Sequence, residues 1–187
     1  TKEIIQLYEN NDSRAVKALD DYVDRLARSL SDVINLEQYL LQSERFRTKC
    51  KSTLDEYGAL VLQKFLKPSA IQSIKDEGID TQQHAYFTAT NHNIYLKPSN
   101  PNYSPSHPRN RNVVSSKGCI TTDQISEGSV LHTLYDASEF RDFLCAVLDV
   151  GGLYEYADPL SSINLHYASK GQELGWHFDN SSFAITL

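Results

Sequence analysis

His177 and Asp179 stand two residues apart in the run Trp176-His177-Phe178-Asp179-Asn180. On an extended strand, positions i and i+2 face the same way. An imidazole and a carboxylate at this spacing can therefore converge on one point. Two histidines and one carboxylate hold one face of Fe(II) and leave the other open for a chelating oxo-acid and oxygen. His177 and Asp179 would supply two of those three ligands. The spacing alone is weak: six histidines and 24 acidic residues in 187 positions give about one such pair by chance, so the motif depends on its surroundings. The other five histidines, His84, His92, His107, His132 and His166, have no acid two residues on. His166 reads as a packed or surface histidine sharing a strand face with Asn164, and His92 as a candidate substrate contact.

The elements that must position this pair read as helices first and strands later. Val16, Leu19, Val23, Leu26, Leu30 and Val33 recur at steps of three and four, which predicts a helix from the Asp12-Ser13 cap to about Ile34. A second helix is expected over Leu36 to Tyr57, stopped by Gly58, and a buried strand over Ala59 to Phe65. Pro68 suits a first helical turn, with Ser69 to Glu77 helical and Gly78 as the stop. His92 to Leu96 reads as a short strand. Lys97 to Asn112 holds four prolines and reads as a lid or substrate loop, because a polar loop of this length is usually functional or mobile. Ser129 to Tyr135 and Ser138 to Leu148 read as helices, the second capped by Ser138. After Gly151-Gly152, the segments Leu153 to Ala157, Ile163 to Ala168 and Phe183 to Leu187 are short, aromatic and β-branched, with turn residues between them. Helices followed by closely spaced strands predict an α+β fold.

The stretch Asn164-Leu165-His166-Tyr167, then Lys170-Gly171, then Trp176-His177-Phe178-Asp179-Asn180, resembles the metal-binding core of the Fe(II)/2-oxoglutarate-dependent oxygenases. Those proteins carry Asn-x-x-Tyr, a glycine turn, and His-x-Asp about ten residues after the tyrosine. Upstream, Glu56 to Leu62 with Phe65-Leu66, His92 to Leu96, Phe140 to Leu144 and Tyr154 to Leu160 are similar to the subgroup of free-amino-acid hydroxylases and radical halogenases. The resemblance covers about residues 55–187. It implies a double-stranded β-helix, or jelly roll, with N-terminal helices packed on it. Residues 1–57 would form the helical part and 58–187 the first part of the jelly-roll core of a single domain. It also implies Fe(II) as the metal and 2-oxoglutarate as cosubstrate, with molecular oxygen and a small-molecule substrate.

Position by position, the resemblance makes His177 and Asp179 iron ligands. Tyr167 and Asn164 would face the cosubstrate, although residues three apart on a regular strand face opposite ways. Trp176 would wall the pocket, and Asp158 would grip a substrate amine. The related halogenases have a small residue where this chain has Asp179, so the carboxylate implies hydroxylation. The family also needs a second iron histidine and a basic residue for the distal 2-oxoglutarate carboxylate. Phe178 to Leu187 contain no His, Arg or Lys. Alternatives from other classes are a cupin-like binding module carrying His177 and Asp179 as a surface pair, and a zinc hydrolase. Within the class, the alternative is a protein-side-chain hydroxylase.

Bulk properties agree with a globular chain: 40% hydrophobic, 22% charged, net charge −6. An acidic chain without a clustered Lys/Arg stripe argues against nucleic acid as a partner. Three widely spaced cysteines and no C-x-x-C suggest free thiols and a cytoplasmic setting. No run of 18 apolar residues exists, so no membrane-spanning segment is expected. The sequence lacks methionine and begins at Thr1, which suggests a segment clipped from a longer chain and incomplete at its C-terminal end.

Overall fold

The computed structural model describes residues 30–187, and the helix expected from Asp12 to Ile34 lies outside them except for its last turn, where 30–33 are helical. The fold is α+β. Helix α1 spans Glu44–Tyr57, α2 Pro68–Thr81, α3 Val130–Asp136 and α4 Ser138–Leu148. Strands β1 (Tyr86–Asn93), β2 (Asn112–Thr121) and β3 (Asn164–Tyr167) form one antiparallel sheet in that order. Two compact units divide the chain. Residues 30–77 and Ile125–Ala157 make a helical unit, and Gly78–Gln124 with Asp158–Leu187 make the unit that carries the sheet.

Local chemistry explains most boundaries and several departures from expectation. Helix α1 starts at Glu44, not Leu36, because the Ser43 side chain accepts from the Phe46 amide as its N-cap. Residues 35–42 instead turn against the segment leading into α2: the Asn35 amide donates to Phe65 O at 2.9 Å, and the Tyr39 hydroxyl donates to the Gln63 carbonyl. Gly58 ends the helix as expected, at φ 69° with its N–H on Leu54 O. The strand expected over Ala59 to Phe65 does not form. Lys64 turns left-handed at φ 58°, and the only ladder there is the isolated bridge Ile34↔Leu66. Pro68 opens α2 as expected, but the helix runs through Gly78 to Thr81. Helices α3 and α4 meet the expected spans; Ser129 caps α3, whereas Ala137, not Ser138, is the cap residue of α4.

The core of the helical unit is built from Val33, Ile34, Leu41, Phe65, Leu134, Phe140 and Phe143, among others. Phe46 stacks on Phe143 with ring centroids 5.6 Å apart, joining α1 to α4.

The sheet unit departs further. The expected strand His92–Leu96 is really the end of β1, which stops at Asn93. There the Asn93 side chain accepts from the Tyr95 amide at 3.0 Å and donates to Lys97 O at 2.6 Å, and Leu96 turns left-handed. Neither Leu153–Ala157 nor Phe183–Leu187 is extended into a ladder. The long polar loop is the β1–β2 connection. It is organised by buried Asn110, which accepts from the Asn100 amide at 2.8 Å and donates to the carbonyls of Asn100, Tyr103 and Ser104.

Candidate metal centre

Register fixes which side chains share a face of the sheet. In β1–β2 His92 lies opposite Val113, and in β2–β3 Cys119 lies opposite His166 and Thr121 opposite Asn164. Opposed residues share a face and alternate residues along a strand do too. One face therefore carries His92, Ser115, Lys117, Cys119, His166 and Asn164. The other carries Phe87, Gly118 and Tyr167; a Cβ on Gly118 would meet the Phe87 ring at 2.7 Å.

After β3 the chain turns at Gly171 (φ 89°) and rejoins β2 at the end that holds Ser115. The Ser116 amide donates to Glu173 O at 2.8 Å, and the buried Gly175 amide donates to Ser115 Oγ at 2.8 Å. The approach is close enough to demand glycine: a Cβ at 175 would lie 2.8 Å from the Val114 carbonyl oxygen and 2.6 Å from Val113 Cγ2. Three residues on, the Phe178 amide donates to Ile94 O at 2.8 Å, and its ring stacks on Tyr95 at 5.6 Å. The Arg109 guanidinium sits 4.8 Å over the Tyr95 ring, so the long loop flanks the same place.

These contacts bring His177 and Asp179 together. Nε2 of His177 is 3.4 Å from Asp179 Oδ1, and Nδ1 is 2.6 Å from Gly175 O. A carbonyl can only accept, so Nδ1 bears a proton, and Nε2 is the nitrogen that faces the carboxylate, donating to it when the ring is charged and free to bind a metal when the ring is neutral. This is how metal-binding histidines are usually held, with the second ring nitrogen donating to a backbone carbonyl. A nitrogen and an oxygen donor about 3 Å apart can share one first-row ion. The donor chemistry therefore fits two facial positions of Fe(II). Among the described residues no three His, Cys, Asp or Glu side chains converge. The pair is open to solvent: the His177 side chain is 25% exposed and that of Asp179 58%.

His92 joins the pair through an edge-on ring contact with His177, centroids 5.1 Å apart. Its own nitrogens face Asn93 O and Ser115 Oγ. The remaining sequence candidates lie elsewhere. Asn164 shares the His92 face but pairs six residues along β2 from Ser115, about 20 Å away along the strand, where it accepts from the Cys119 thiol. Tyr167 is on the opposite face, its hydroxyl donating to Gly78 O at 2.7 Å. Trp176 points outward, 83% exposed. Asp158 folds back on its own turn, accepting from the Leu160 amide and the Ser161 hydroxyl, which hold its carboxyl below the usual range.

Ser115, Gly175, Tyr95 and Arg109 belong to this site and were not candidates from sequence. Ser115 and Gly175 meet across 60 positions, a relation with no local signature. Gly175 does carry one legible sign, a glycine directly before Trp-His-x-Asp. No family model, curated protein or solved structure matches the chain.

Proposed function

We propose that the chain carries two of the three metal ligands of an Fe(II)/2-oxoglutarate-dependent oxygenase that hydroxylates a small molecule, possessing the first part of a jelly-roll core. The observation that carries this reading is the geometry of His177 and Asp179: Nε2 and Oδ1 lie 3.4 Å apart, with the other ring nitrogen tied to a carbonyl. Bound Fe(II), with 2-oxoglutarate and oxygen, would supply the oxidising chemistry, and the protein supplies ligands and orientation. Here Gly175 O orients the imidazole, and Asp179 contributes a negative charge that favours a cation. The Arg109–Tyr95–Phe178 stack walls one flank. Arg109 and Tyr95 of that wall come from the β1–β2 connection, and the small-molecule substrate is what the sequence resemblance implies.

Anaerobic addition of Fe(II) and then 2-oxoglutarate to the full-length protein is expected to give a weak visible charge-transfer band that His177→Ala abolishes. Iron that fails to bind, or binds without responding to 2-oxoglutarate, overturns the proposal. The exposure of Asp179 favours one second reading, a non-catalytic binding module in which His177 and Asp179 are a surface pair. The same titration with no band and no iron retained selects it.

A further inference from the structure

We infer that His92 and Ser115 are positioning residues, which hold the His177 ring in the Nδ1–H form with Nε2 turned toward Asp179; describing that nitrogen as a metal ligand rests on the function proposed above. His92 Nδ1 is 3.1 Å from Asn93 O, and a carbonyl can only accept, so His92 carries its proton on Nδ1. His92 Nε2 is then an acceptor, and it lies 2.6 Å from Ser115 Oγ, whose hydroxyl must donate to it. The same Oγ accepts from the Gly175 amide at 2.8 Å. The Gly175 carbonyl accepts from His177 Nδ1 at 2.6 Å.

In this relay two backbone carbonyls, Asn93 O and Gly175 O, fix the proton of each neutral ring on Nδ1, and Ser115 ties His92 to the amide of Gly175, the residue whose carbonyl orients His177. The edge-on contact of the His92 and His177 rings at 82° closes the circuit by a second route. Ser115 is only 9% exposed, so its hydroxyl has little recourse to water if a partner is lost. His92 is thereby assigned to orientation, not to substrate contact, since both its nitrogens are satisfied within the fold.

The test uses the metal-free chain, 15N-labelled, above the imidazole titration range. Long-range proton–nitrogen spectra are expected to show His92 and His177 each as the Nδ1–H tautomer. Ser115→Ala should give His177 a mixed tautomer, and Ser115→Thr, which keeps the hydroxyl, should restore the single one. Co(II) titration, an optical stand-in for Fe(II), should weaken about tenfold or more in Ser115→Ala, the usual scale for losing such a supporting group. If Ser115→Ala does not fold, His92→Gln and His92→Leu decide the matter. Gln keeps an acceptor for the Ser115 hydroxyl and should preserve the His177 tautomer; Leu should not. An Nε2–H form of His92, or a His177 ring indifferent to all four substitutions, overturns the inference. Wild-type protein that shows the expected tautomers yet binds no Co(II) leaves the relay standing and overturns the metal reading alone.

Discussion

His166 shows how a single side chain takes its properties from neighbours that local sequence does not reveal. Lys117 Nζ is 3.1 Å from its Nε2, across the β2–β3 pair. Loss of water around the ring, and then the Lys117 charge, push the imidazole below its usual titration range. The unfolded chain therefore takes up a proton at higher pH than the folded one. The contribution of His166 to stability is complete above the ordinary histidine range and is lost as pH falls through the lowered folded value. His166→Gln should flatten the fall in denaturation midpoint between neutral and mildly acidic pH; an unchanged slope would refute this. His177 and Asp179 could be recognised from sequence because two-residue spacing is a local property. Ser115 could not, because its function comes from partners at 92 and 175.

At the scale of elements, the helices were the legible part. Gly58, Pro68 and Ser129 mark ends where they were expected, with side-chain and backbone chemistry that acts within a turn, whereas the Ser43 cap replaced an expected start at Leu36. Strand β2 was not legible. Asn112–Thr121 reads NVVSSKGCIT, too polar and too glycine-interrupted to signal a strand, and it is extended because β1 and β3 flank it on both sides. Its polar face is the one that holds His92, Ser115 and Lys117. The β1–β2 connection reads as a lid or substrate loop from its prolines, and the sequence does not single out Asn110, on which it is centred. Asn110→Ala strips the Asn100 amide and three carbonyls of their partner. The expected cost is about 0.5–1.5 kcal/mol, the net worth of a hydrogen bond whose stranded partners lie in half-buried and exposed residues that water can reach. Chemical denaturation should show it, together with faster amide exchange over 100–110. Wild-type exchange there would mean the loop is held by other contacts.

Over the whole molecule, apolar burial is concentrated in the helical unit, where Ile34, Phe143, Leu134 and their neighbours are nearly or fully enclosed. In the sheet unit Ile120 is the buried apolar side chain among the described residues, while Trp176, Phe178 and Tyr86 stand exposed. Burial of apolar surface is the main stabilising term. Amides of α1 and α4 should therefore exchange more slowly than those of β1 and β3. Equal or reversed protection would show that the sheet is stabilised by something other than its described contacts. Net charge of −6 suits neither nucleic acid nor an anionic surface. Among the described residues no helix is long and apolar enough to cross a membrane.

The sequence by itself determined what depends on neighbours within a few positions: the helix stop at Gly58, the helix start at Pro68, the α+β class and the spacing of the His-x-Asp pair, but not the order of elements, since two of the three strands precede the last two helices. Expectations failed where the same local signal had two outcomes. The apolar run after Gly58 buried Phe65 and Leu66 in the helical core with a single bridge to Ile34 instead of forming a strand, and Gly78 continued a helix it was expected to end. Only tertiary structure decided that a polar segment would become the central strand, and that Ser115 would meet Gly175. Only it decided that Asn164 and Tyr167 would lie away from His177 and Asp179. Those outcomes depend on register between strands far apart in the chain, and one step of register exchanges the two faces of a strand.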